Sequence, residues 1–242
     1  MRICVGNWKM NGTKEMVQNI SHKMNEREGD FANIEVVICV PYTLLYEARK
    51  SFSSAFAIGA QTMCAYAEKG AYTGGISMEQ MKDAQIQSVI IGHSERVKYF
   101  HETEEEVKNQ VEMAVKNGLS VILCVGEHTK NGSLEENSLI IKNRLNIVKN
   151  LGVPSARIYI AYEPVWAIGT GDMPSAERIQ GIVQMIHEEM GDKIQGILYG
   201  GSVTKETVQP LLSISHLAGF LVGNASLTTE FAEICEIVSQ AN

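Results

Sequence analysis

The sequence predicts an α/β protein of the (β/α)8 barrel class, with eight parallel strands each followed by a helix, and three observations carry that prediction. Eight short runs rich in β-branched residues recur along the chain, and a polar, helix-like segment follows each. Many of these runs are apolar at successive positions instead of alternating, as strands buried on both faces of a parallel sheet are. Spread over 242 residues, eight units come to roughly 30 residues apiece, about the size of one βα repeat. No long linker or low-complexity break interrupts the alternation, so residues 1–242 are expected to form a single catalytic domain. A doubly wound sheet would usually carry a G-x-G-x-x-G turn after its first strand, and "GNWKMNG" is not one.

The strands are read in order as "RICVGN", "IEVVICV", "FAIGAQ", "SVIIGH", "SVILCVG", "RIYIAYE", "GILYGG" and "GFLVGN". Thr103 with Glu106, and Ser133 with Glu136, have the spacing of capping boxes, in which a hydroxyl and a carboxylate satisfy the free N–H groups of a first helical turn. Ser175 and Thr204 are suited to N-caps. The helix opening at Thr13 should stop at Gly29, and the one opening near Thr103 at Asn117 and Gly118.

Composition narrows the partners. The net charge is −7, with no basic stripe to neutralise phosphates, so nucleic acid is excluded as the main partner; a small anionic substrate remains compatible. The five cysteines are odd in number and form no C-x-x-C pair, which predicts buried thiols in a reducing compartment. The N-terminus lacks an apolar signal-peptide core, and no apolar run approaches the roughly 20 residues of a membrane span, so a cytoplasmic location without membrane attachment is expected.

In barrels of this class the chemistry sits where strands end and βα loops begin. That rule selects Asn7 and Lys9 after the first strand, Gln61 after the third, His93, Ser94, Glu95 and Arg96 after the fourth, and Glu163 after the sixth. A strand-end glutamate is usually solvated or ion-paired, and a lone histidine is usually structural; their shared rim position favours function. A helix starting after His93 would lower its pKa and keep the imidazole neutral. Lys9 is either an anion ligand or a Schiff-base nucleophile. Glycine-rich turns around Gly200–Ser202 and Gly223–Ala225 follow the last two strands, the usual phosphate site of such barrels. The six histidines are scattered without metal-ligand spacing, and no nucleotide loop is present, so neither metal nor cofactor is expected. A carboxylate base, an imidazole, a lysine and a phosphate cradle suit proton abstraction beside a carbonyl, as in isomerising a phosphorylated aldose or ketose.

"GNWKMNG", "IIGHSER", "AYEPVWAIGTG", "LYGGSV" and "FLVGNASL" together resemble the triosephosphate isomerase family, in order and across essentially the whole chain. The resemblance implies a TIM barrel interconverting dihydroxyacetone phosphate and glyceraldehyde 3-phosphate, with Glu163 as base, neutral His93 as electrophile, and Asn7 and Lys9 on substrate oxygens. It implies that Lys9 pairs with Glu95, that Gln61 supports the floor, and that N–H groups of Gly169, Ser202, Gly223 and Asn224 hold the phosphate. A lid over 161–174 would close by contacts of Tyr199 to the lid and Ser202 to Gly171, with Glu127 holding Trp166. It also implies a homodimer, in which "AYTGGIS" inserts Thr73 near the partner's active site.

Three departures from the family pattern stand out. The second hinge of the lid reads Asp172, Met173, Pro174; the second glycine of the phosphate turn is Asn224, where an unusual φ is expected to be tolerated; and Gly75 replaces a glutamate that would reach the partner's arginine, leaving Arg96 to find another partner. The reactivity of Cys64 and Cys124 is not legible at this stage. A Schiff-base aldolase using Lys9, and a non-catalytic binding barrel, stay open as alternatives.

Overall fold

The eight strands pair in sequence order and close on themselves in the computed structural model, which describes residues 1–127, 129–130, 132, 134–151, 157–167 and 173–241. They are β1 (Arg2–Asn7), β2 (Ile34–Cys39), β3 (Ala57–Ala60), β4 (Ser88–Ile91), β5 (Ser120–Val125), β6 (Ile158–Tyr162), β7 (Gly196–Tyr199) and β8 (Leu217–Val222). Each is parallel to its neighbours, and β8 pairs back onto β1 from Ile3↔Gly219 to Gly6↔Val222. Nine α-helices lie among the described residues: α1 (Lys14–Glu26), α2 (Leu45–Ser51), α3 (Met78–Asp83), α4 (Ser94–Phe100), α5 (Glu104–Lys116), α6 (Leu134–Lys149), α7 (Ala176–Met190), α8 (Lys205–Leu211) and α9 (Glu230–Gln240). The barrel expectation holds, with one elaboration: two helices, α4 and α5, follow β4, separated by His101 in the left-handed region at φ 54°.

Period-2 geometry divides the buried side chains into two layers. Ile3, Val5, Val37, Cys39, Ile90, Ile122, Cys124, Tyr159, Ala161, Leu198 and Leu221 fill the barrel interior. Their neighbours, such as Cys4, Ile38, Ile91, Leu123, Ile160 and Phe220, pack outward against the helices. Both faces are therefore apolar, which is why the strands read as continuous hydrophobic runs.

The caps follow the sequence. Thr13 accepts from the Met16 N–H, Ser175 from the Arg178 N–H, and Thr103 and Glu106 form the expected box. The Thr204 N–H donates to Thr207 Oγ1 at 2.9 Å at the start of α8. Ser133 lies outside the described residues. α1 ends at Glu26, before Gly29, which sits inside a 3-10 turn over Glu28–Phe31. A further capping box, Ser77 with Gln80, starts α3. Among the described residues no helix is long and apolar enough to cross a membrane.

Candidate active site

The rim residues reach the site because the strand alternation continues past the last ladder bond. Asn7 follows Ile3 and Val5, and Glu163 follows Tyr159 and Ala161, so both point into the barrel mouth. His93 would fall out of this phase. Gly92 takes φ +70° and turns the chain so that Ile91 and Gly92 both face the helices while His93 faces inward. His93 and Glu163 are each almost wholly buried.

These two side chains meet: His93 Nε2 lies 3.2 Å from Glu163 Oε1. His93 also caps α4, its Nδ1 accepting the Glu95 N–H at 3.2 Å. With Nδ1 occupied as an acceptor, the proton of the neutral ring belongs on Nε2, facing the carboxylate. Burial lowers the His93 pKa, but the charge and hydrogen bond of Glu163, aided by Glu95, raise it, and the net direction is upward. The expectation of a lowered value is thus reversed, because the charge and hydrogen bond of Glu163, a carboxylate from another strand, together with Glu95 outweigh burial. Gly200 allows Glu163 its place: a Cβ there would stand 2.8 Å from Glu163 Cγ.

Lys9 closes the other side. Its ammonium pairs with Glu95 Oε1 at 2.6 Å, as the family resemblance implied. Its backbone sits in the left-handed region at φ 52°, held by the Lys9 N–H donating to Asn7 Oδ1 at 3.0 Å. Gln61 Nε2 donates to the Cys39 carbonyl at 3.1 Å, which also accepts the Trp8 N–H at 3.0 Å, so Gln61 ties the floor to the turn carrying Lys9.

Asn7, Lys9, His93, Glu163, Ser202, Gly223 and Asn224 line one cleft of about 530 Å³, with Met173 on its wall. Asn224 opens a 3-10 turn and does not adopt positive φ, so no special backbone tolerance is needed there, contrary to expectation. Gly169, Gly171 and Asp172 lie outside the described residues. So does the expected Ser202–Gly171 contact; the Tyr199 hydroxyl is buried without a hydrogen-bond partner among the described residues.

Glu127 is fully buried and accepts from Trp166 Nε1 at 3.1 Å, as implied. It also accepts from the Tyr162 hydroxyl at 3.1 Å and from Arg178 Nη2 at 3.0 Å. Arg178 stacks 5.4 Å from the Trp166 ring centroid and donates to the Lys130 carbonyl at 2.8 Å. Sequence reading missed Arg178, because nothing in a helix's first turn marks an arginine as the partner of an acid on a distant loop.

Thr73 and Gly75 are exposed on the loop before α3. Arg96 finds its partner within the chain: Nε donates to Glu102 Oε1 at 2.8 Å, and the guanidinium stacks 4.8 Å from the Phe100 ring. Met10, Tyr99 and Phe100 are exposed and flank a cleft of about 570 Å³ that also touches Lys9, Gln61 and Glu95. Cys124 lies inside the barrel, and burial together with the Glu163 charge pushes its thiol pKa well up, so it is a packed thiol and not a nucleophile. Cys64 is half-buried. Among the described residues no group of three or more His, Cys, Asp or Glu is gathered for a metal.

The chain matches the protein-family model described as triosephosphate isomerase over residues 2–238. A triosephosphate isomerase of Wolbachia sp. subsp. Brugia malayi (strain TRS) is 38% identical over 242 residues, covering 98% of this chain and 97% of that protein. One of Alkaliphilus metalliredigens (strain QYMF) is 38% identical over 239 residues, covering 94% and 95%. One of Dehalococcoides mccartyi (strain CBDB1) is 38% identical over 246 residues, covering 96% and 94%.

Proposed function

This chain belongs to the triosephosphate isomerase family, and from that premise we propose how its rim residues interconvert dihydroxyacetone phosphate and D-glyceraldehyde 3-phosphate, a step of glycolysis and gluconeogenesis. A carboxylate base beside a neutral imidazole under a closing lid is the established pattern of the family. The observation that carries the assignment here is the 3.2 Å approach of His93 Nε2 to Glu163 Oε1. Glu163 takes the proton from one of the two substrate carbons and returns it to the other. The C–H bonding pair becomes a C=C bond and the carbonyl π pair moves onto its oxygen, giving an enediolate; before the second carbon is protonated, the hydroxyl proton passes from the neighbouring oxygen to that one. The Nε2–H of His93 hydrogen-bonds that oxygen, which is possible because Nδ1 is already satisfied by the Glu95 N–H. Substrate entering between the two side chains would separate Glu163 from the imidazole and weaken the largest influence that raises the His93 pKa, favouring the neutral ring.

Lys9 supplies positive charge and, with Asn7, binds substrate oxygens. N–H groups of Gly169, Ser202, Gly223 and Asn224 hold the phosphate, and a lid over 161–174 excludes water. Glu127, Trp166 and Tyr199 serve that lid, and Gln61 the floor beneath Lys9. No cofactor is needed. A Schiff base on Lys9 fits poorly, since its nitrogen is already engaged by Glu95 Oε1 at 2.6 Å. The intact set of Asn7, Lys9, His93 and Glu163 argues against a binding-only barrel.

The chain works as one cytoplasmic catalytic domain over 1–242, and as a homodimer. The exposed loop with Thr73 and the exposed Met10, Tyr99 and Phe100 beside the site support the dimer. Gly75 brings no carboxylate to the partner's Arg96, which its own Glu102 already occupies. Sedimentation at micromolar concentration should give a dimer; a monomer refutes that part. The decisive experiment is the coupled assay of glyceraldehyde 3-phosphate conversion with Glu163→Gln. Loss of turnover by about 10³-fold is expected, within the range of general-base catalysis. Turnover retained by a folded Glu163→Gln protein would overturn the assignment.

A further inference from the structure

We propose that Arg144, on the outer helix α6, is a positioning residue for the isomerase reaction: its guanidinium holds the ends of β4 and β5 together where their pairing stops, and so sets the spacing of His93 and Glu163. The inference rests on the assignment of those two residues given above.

The β4–β5 register ends at Ile91↔Leu123. The next residues in that register are Gly92 and Cys124, and there the strands part. Arg144 Nη1 donates to both carbonyls, at 3.1 Å to Gly92 and 3.3 Å to Cys124. One side-chain donor thus bridges the pair at which backbone pairing has ceased. Each carbonyl is one residue from an anchor of the reacting pair. Gly92 precedes His93, and Cys124 precedes Val125, whose carbonyl accepts the Glu163 N–H at 2.8 Å.

The site is built for this contact. The Arg144 side chain is only 13% exposed. A Cβ at Gly92 would stand 2.3 Å from Arg144 Nη1, so the glycine that turns His93 inward also leaves room for the guanidinium. Nη2 pairs with Glu104 on the first turn of α5, which orients the fork. Arg144 touches neither reacting side chain in these contacts; it acts through backbone. The expected consequence is a change in turnover more than in binding, since Ser202, Gly223 and Asn224 of the phosphate cradle follow β7 and β8, across the barrel.

The test compares Arg144→Met, Arg144→Lys and Glu104→Gln with the parent and with Glu163→Gln, reading kcat, KM and the urea midpoint for each. Arg144→Met should lose about tenfold in kcat with KM within about twofold, the signature of displaced reacting groups in folded enzyme. Arg144→Lys, restoring one donor, should recover part of the loss, and Glu104→Gln, which loosens the fork but keeps the donor, should lose less kcat than Arg144→Met. Folded Arg144→Met with parental kcat overturns the proposal, as does a loss that only tracks the unfolded fraction. If Arg144→Met does not fold, Arg144→Lys decides: a smaller kcat loss at unchanged KM supports the role, and parental kcat overturns it. Turnover surviving in Glu163→Gln overturns the assignment beneath the proposal and the proposal with it; loss in Glu163→Gln with parental kcat in Arg144→Met overturns the positioning role alone.

Discussion

Glu163 Oε1 and His93 Nε2 stand 3.2 Å apart, the first just beyond β6 and the second just beyond β4. Each is buried, so each feels the other in a medium that screens charge poorly, and the contact raises the His93 pKa.

Removing the carboxylate should reverse the His93 shift. Burial alone lowers the imidazole pKa and Glu163 raises it, so Glu163→Gln should bring the value down, below the ordinary histidine value of about 6.5. Titration of the imidazole resonances by NMR reads this directly; an unchanged or higher value in the variant would contradict it. A raised folded-state pKa adds stability that is full below the unfolded value and lost as pH rises through the folded one. The parent should therefore lose some urea resistance over that window, and Glu163→Gln should not.

Gly200→Ala should impair catalysis far more than folding. The new Cβ would stand 2.8 Å from Glu163 Cγ, and the flexible carboxylate gives way first. A displacement of the base on the order of 1 Å is expected to cost about 10²-fold in kcat. Equal losses in activity and in urea midpoint would show that the clash falls on the backbone instead.

Arg178→Met should destabilise the protein by about 3 kcal/mol, because it strands the fully buried Glu127 without its cationic partner. Glu127→Gln on that background should restore much of the loss, and a double-mutant cycle from urea unfolding measures the coupling. Additive single effects would show that the pair contributes no more than its separate packing.

Glu189 should make the protein acid-sensitive at low pH. Hydrogen bonds from Lys142, 2.7 Å away, and Lys149 bring its pKa down to about 2. A depressed folded-state pKa gives stability present above the unfolded value and lost as pH falls through the folded one. The contribution should therefore fade between about pH 4.5 and about pH 2. Lys142→Met with Lys149→Met should flatten the urea midpoint across that interval; an undiminished slope would place the acid sensitivity elsewhere.

The fold, and the rim residues that gather at the candidate site, were legible in the sequence because both depend on local order. Continuous apolar runs betray strands covered on both faces, and the strand-end rule turns those runs into a list of rim residues, Asn7, Lys9, Gln61, His93 and Glu163. Caps such as Thr13, Thr103 and Ser175 reach only three residues along the chain, so they too could be read directly. Gly169 and the lid tip lie outside the described residues.

What only the tertiary structure decided are relationships across the barrel, where residues distant in sequence meet at angstrom precision. The upward direction of the His93 pKa comes chiefly from a carboxylate on another strand, and the partner that Arg96 finds in place of the glutamate absent at Gly75 is Glu102. Arg178 under Trp166 and Arg144 across Gly92 and Cys124 leave no periodic or motif signal, because an arginine on a helix looks the same whether it faces water or a parted pair of strands. Local pattern determines which elements form and which residues reach the rim. Closure of the sheet sets which of them touch, and charge–charge distances, on which pKa and positioning depend, exist only once it has closed.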